Sequence, residues 1–149
     1  MVGSMNSTSE RDRLKSLAEF RYQMRKFLNF SEIASERCGI PAQQYQLMQV
    51  IAAIPEDQQA SITYLAERMI LRHNSTVELV DRAERAGFVS RQSDIKDMRR
   101  SLVRLTPEGQ VILNRLVAEH LSELAPRCEQ LITALRDLQS MTQVQTDPS

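Results

Sequence analysis

The feature that most restricts the fold is a switch in the spacing of apolar residues at Gly87. Before it, two short stretches repeat at helical intervals; after it, two shorter stretches alternate. The first helix runs to about Met69, with Ser61 or Thr63 as its cap. Leu71–Asn74 interrupts, and a second helix, capped by Asn74 or Ser75, ends before Gly87. Phe88–Gln92 and Leu102–Thr106 then read as a two-stranded hairpin. Its connection, Ser93–Ser101 (SDIKDMRRS), is too long and polar for a tight turn and should project as a loop. Two short helices joined by so few residues form a helix-turn-helix, and the hairpin completes a small mixed lobe.

Long helical stretches lie on either side. Leu17, Phe20, Met24, Phe27, Ser31 and Ala34 mark one stripe between about Arg11 and Arg37. Gly39 suits the left-handed position after that helix, and Pro41 the first turn of a second helix that runs to Ile54. Beyond the hairpin, Thr106 caps a helix with Pro107 in its first turn, reaching about Leu124. Pro126 interrupts, and a last helix carries Cys128, Leu131, Leu135 and Leu138. The expected class is mainly α with a small β-hairpin wing. Its expected organisation is a disordered N-terminus (1–10, with 1–4 an expression remnant), N-terminal helices (11–58), the helix-turn-helix and hairpin (59–106), C-terminal helices (107–141) and a frayed tail (142–149).

Charge refines this. The chain has 19 basic and 19 acidic residues, so net charge selects no partner. Between Ala60 and Arg104, however, nine Lys and Arg face six Asp and Glu, and from Leu105 onward three face six. A polyanion would therefore meet the middle of the chain. Cys38 and Cys128 are far apart and make no metal-ligand spacing, and a reduced cytoplasmic chain is expected. No apolar run suggests a membrane span. His73 and His120 are separated, and neither a phosphate loop nor a nucleophile elbow is present, so neither catalysis nor a cofactor is expected.

Particular residues sharpen the reading. Leu65-Ala-Glu-Arg, His73-Asn-Ser-Thr, Leu79-Val-Asp-Arg-Ala-Glu and Gly87-Phe-Val stand in the order found in MarR-family regulators, and Pro41-Ala-Gln-Gln-Tyr45 resembles the start of that family's second helix. Asp97-x-Arg99, followed by Leu102, Leu105, Thr106 and Gly109, resembles its wing and the exit from it. The resemblance spans about Arg11 to Leu138 and departs at Ala83, where the family often has Leu, at Tyr64, and at Arg72-His73. It implies a winged helix-turn-helix protein that binds duplex DNA as a homodimer, a repressor on a pseudo-palindromic operator.

In the second short helix, Thr76, Leu79, Val80 and Ala83 share the inward side; Ser75, Glu78 and Arg82 share another that is free to enter a major groove. His73, Asn74 and Ser75 lie where a helix start offers N–H groups to phosphate. Alternatively, Glu78 with Arg82 and Asp81 with Arg85 are plain surface ion pairs. In the loop, Lys96, Arg99 and Arg100 are the basic candidates; the resemblance sends Arg99 into a minor groove, with Asp97 orienting it or the loop. The resemblance also implies release by a small aromatic or phenolic effector, with Phe20, Met24, Tyr45 and Met48 as pocket candidates against a plain core role. Two alternatives remain: thiol-based redox control through Cys38 or Cys128, and a winged-helix module for protein contacts.

Overall fold

The structure, a computed structural model, describes the backbone of residues 4–141 and the side chains of residues 10–141. Its elements are α1 (Ser4–Arg37), α2 (Ala42–Ala52), α3 (Ile62–Met69), α4 (His73–Arg85), β1 (Val89–Ser93), β2 (Ser101–Leu105), α5 (Pro107–Leu124), a 3₁₀ turn (Ala125–Arg127) and α6 (Cys128–Ser140). The chain divides into two compact units. One is Glu32–Glu119, and the other joins residues up to Ser31 with those from His120 onward. The tail expected to fray at 142–149 lies outside the described residues.

The elements follow the sequence with small shifts. Helix α1 starts at Ser4, not near Arg11. Its apolar stripe begins only at Leu17, but no Gly or Pro stands between Ser4 and Arg37 to stop a helix from extending backward. At its other end, Gly39 takes φ +76° and the Ser35 hydroxyl donates to the Ile40 carbonyl at 2.6 Å. Pro41 is the residue before α2 rather than part of its first turn, and its carbonyl accepts from Tyr45 N–H.

The Glu32–Glu119 unit, here called the winged unit, contains nearly all of the buried apolar side chains. Leu47, Met48 and Ile51 of α2, Leu65 of α3, Leu79, Val80 and Ala83 of α4, Val89 and Val103 of the hairpin, and Leu113 and Leu116 of α5 form one cluster. Val89 and Val103 are buried, as alternation requires for inward residues of a strand. The strands pair antiparallel, with Val89 opposite Leu105 and Ser93 opposite Ser101. A short segment before α3 extends the sheet: Ser61 bridges Leu102, and Val103 N–H donates to the Ala60 carbonyl at 2.9 Å.

The junction of β2 with α5 explains the Leu-Thr-x-x-Gly exit from the wing. Thr106 Oγ1 donates to the Gly87 carbonyl at 2.6 Å and accepts from Gly109 N–H at 3.0 Å. A Cβ on Gly109 would lie 2.1 Å from the Phe88 carbonyl oxygen, so only glycine fits without moving backbone.

In the second unit, Ala134 of α6 and His120 of α5 are the buried described residues. The Arg127 guanidinium lies 3.8 Å from the Phe30 ring centroid, within cation–π range. Leu14, Leu17, Leu28, Leu121 and Leu135 stand exposed.

Candidate nucleic-acid interface

The site grows from the turn between α3 and α4. Ser61 caps α3, its Oγ accepting from Tyr64 N–H at 3.2 Å, which selects Ser61 over Thr63. Ile70 closes the helix in the left-handed region at φ +53° and is 90% exposed. Helix α4 then begins earlier than the side-chain chemistry of Asn74 and Ser75 suggests. Arg72 is its N-cap residue, no side chain caps the helix, and Thr76 Oγ1 donates to the Arg72 carbonyl at 2.9 Å. His73, Asn74 and Ser75 therefore form the exposed first turn, beside backbone N–H groups that have no side-chain cap.

Packing decides which side of α4 faces out. Thr76, Leu79, Val80 and Ala83 are all buried, as their spacing predicts. Ser75, Glu78 and Arg82 are exposed along the opposite flank. The alternative of surface ion pairs within α4 is not realised: among the described residues the one salt bridge joins Asp81 to Arg91 of β1, not to Arg85. Arg91 also donates from Nη2 to the Val77 carbonyl at 3.3 Å, and its backbone N–H donates to Glu84 Oε2 at 2.9 Å. These contacts clip the wing strand onto α4. Sequence reasoning missed Arg91 because its partners lie seven to fourteen residues away on another element, outside any helical or strand period.

The wing loop, Asp94–Arg100, is held by its own hydrogen bonds. Asp94 N–H donates to the Arg100 carbonyl at 2.9 Å and Arg100 N–H to the Asp97 carbonyl at 3.0 Å. Asp94 Oδ1 accepts from Lys96 N–H, and Asp97 Oδ1 from Arg99 N–H, each at 3.0 Å. Asp97 thus orients the loop backbone through an Asx turn, and Asp94, which is buried, repeats the device. The signal for Asp94 was present as two aspartates three residues apart, each followed two residues later by a cation. Lys96, Arg99 and Arg100 project outward and are exposed.

The fold brings part of this set together. His73 from the start of α4 and Arg99 and Arg100 from the wing line one cleft of about 280 Å³ with Arg91 and the start of α3. Arg82 and Glu78 do not line it; they lie farther along the exposed side of α4. Lys96, Asp97 and Arg100 also border an open depression rich in acid, with Glu56, Asp57, Glu67 and Asp94. The cleft's lining has no carboxylate, whereas the depression sets five carboxylates against two cations, so the cleft side of the wing is the one suited to a polyanion.

The candidate effector residues separate. Tyr45 and Met48 are fully packed in the core of the winged unit, and burial raises the Tyr45 phenol above its ordinary pKa. Phe20 is half-buried and Met24 exposed in the second unit. Cys38 Sγ faces Glu119 Oε2 at 3.8 Å, and Cys128 Sγ donates to the Leu124 carbonyl at 3.4 Å. Among the described residues no group of His, Cys, Asp and Glu is arranged to hold a metal ion, and no helix is long and apolar enough to cross a membrane.

No family model and no curated protein matches the sequence, but solved structures match the fold. A MarR family transcription regulator superposes with a TM-score of 0.73 at 22% identity, over 92% of this chain and 93% of its own. A variant of S. aureus MepR bound to an oligodeoxyribonucleotide matches at 0.59 and 18% identity, over 81% of this chain and 93% of its own. PcaV of Streptomyces coelicolor, in complex with its natural ligand, matches at 0.58 and 24% identity, over 83% of this chain and 91% of its own. The fold of this chain is that of the MarR transcription regulators: a helix-turn-helix and a β-hairpin wing between long terminal helices.

Proposed function

We propose that this protein is a MarR-type transcriptional regulator that binds duplex DNA as a homodimer and represses from a pseudo-palindromic operator. The observation that carries the reading is the convergence of His73, Arg99 and Arg100 on one cleft beside the uncapped start of α4. In that arrangement the outer side of α4, with Ser75, Glu78 and Arg82, lies in a major groove. Arg82 is suited to a guanine edge and Glu78 to a cytosine amino group. The first-turn N–H groups, with Asn74 and His73, take a phosphate. Arg99 reaches an adjacent minor groove, where narrow A·T-rich stretches concentrate negative potential. The MepR variant solved on an oligodeoxyribonucleotide supports the same use of the shared fold.

Dimerisation rests on the second unit. Its exposed leucines, Leu14, Leu17, Leu28, Leu121 and Leu135, offer apolar surface that a second copy would cover. Two lobes then meet a duplex about one helical turn apart. Effector release belongs to the same reading and is supported by the ligand-bound PcaV neighbour. Here a ligand reaches Tyr45 or Met48 only by opening a packed core, so Phe20 and Met24 are the accessible candidates.

The test is duplex affinity against salt for the wild type and Arg99→Ala. Wild-type affinity should fall steeply as salt rises, by counterion release, and Arg99→Ala should weaken binding by about tenfold or more. Affinity that is flat with salt and indifferent to Arg99 would favour the protein-interaction module.

A further inference from the structure

We infer that Ile95 and Met98, at the tip of the wing, form an apolar wedge that enters the minor groove and opens a base step. The inference rests on the duplex-binding reading and adds to it a second means of choosing sequence. Ile95 is 96% exposed and Met98 79% exposed, and neither belongs to the core cluster. A slack loop would let such side chains fold back onto the protein. This loop is instead pinned by two backbone hydrogen bonds and two Asx turns, so the two apolar groups are held out in water by a built scaffold.

The surrounding charge names the occupant. Lys96, Arg99 and Arg100 flank the pair and are exposed. Of the two carboxylates in the loop, Asp94 is buried and Asp97 is engaged by Arg99 N–H. Arg99 and Arg100, which line the cleft, set cations beside the apolar centre, while Lys96 lies toward the acidic depression. This matches a groove met from the cleft side, with phosphates along its rim and sugars and base edges at its floor. Apolar side chains inserted there unstack a step and kink the duplex. Pyrimidine–purine steps yield most easily, so the wedge selects TA or CA/TG steps by deformability without any hydrogen bond to a base.

The experiment uses the full chain and, as probe, the duplex it retains most strongly from a randomised pool, with 2-aminopurine placed at successive steps. Ile95→Ser, Met98→Ser and the double variant are compared with wild type across salt. Because both side chains are exposed, thermal unfolding should not change. Each single variant should bind about tenfold more weakly and the double about a hundredfold, as expected for two partly buried apolar groups. The slope of affinity against salt should stay the same, because no cation is removed. The rise in 2-aminopurine fluorescence at one pyrimidine–purine step should disappear in the double variant. A double variant that binds as tightly as wild type, with the same fluorescence rise, overturns the wedge and leaves the DNA reading standing. A double variant that loses oligomer size without DNA present also overturns it, by showing that the tip meets another copy. A wild-type chain that retains no duplex overturns the DNA reading and the wedge with it.

Discussion

The two units solve the same problem differently. The winged unit is stabilised by its own core: apolar side chains from α2, α3, α4, the hairpin and α5 are buried in one cluster. In the second unit the buried apolar side chain among the described residues is Ala134, while Leu14, Leu17, Tyr22, Met24, Leu28, Leu121 and Leu135 are exposed. Helical propensity keeps such long helices formed, but burial of an amphipathic face is what usually makes them stable. The difference teaches that one unit buries its apolar side chains within a single chain, whereas the other leaves most of its large apolar side chains exposed, the face that the proposed homodimer would cover.

The largest expected effect tests the complete unit. Leu79 is 1% exposed, and Leu79→Ala should destabilise by about 2–5 kcal/mol through lost transfer energy and a cavity. Chemical denaturation should show this loss at every protein concentration. Leu28→Asp provides the contrast, since Leu28 is 51% exposed. At micromolar concentration it should cost about 1.5–3 kcal/mol, the value of burying one Leu against a partner, and the cost should vanish on dilution as dimer gives way to monomer. Sedimentation would follow both. A Leu28→Asp penalty independent of concentration would erase the distinction between the units.

The smallest effect lies in the winged unit and has the opposite sign. Ile70 is a β-branched residue held at φ +53° with almost no packing to lose. Ile70→Gly should raise stability by about 1 kcal/mol, because glycine adopts the left-handed region without strain. The gain should appear in thermal unfolding of the winged unit while dimer affinity stays unchanged. A loss of stability would mean that Ile70 makes a contact that its exposure conceals.

Sequence and structure agree where a period or a short motif carries the information. The buried side of α4 followed from spacing alone, because Thr76, Leu79, Val80 and Ala83 recur at helical steps. Thr106 and Gly109 were visible as a motif, and the close approach of Phe88 supplies its reason. The Arg91 clip was not visible, because its partners lie across the fold and Asp81 had a plausible neighbour in Arg85. The start of α4 was misplaced because Asn74 and Ser75 are good capping residues, whereas the structure closes the helix at Arg72 and puts both in the first turn. Tyr45 and Met48 became pocket candidates through the resemblance, against a plain core role, and burial in the core of the winged unit is the packing that the plain role describes.

Whether two winged lobes act together on one duplex is tested most directly by stoichiometry and footprint. Analytical ultracentrifugation of the full chain with a selected duplex should give two chains per duplex. Footprinting should show two protected half-sites about one helical turn apart. A complex of one chain per duplex with a single protected segment would contradict the pairing of lobes through the second unit.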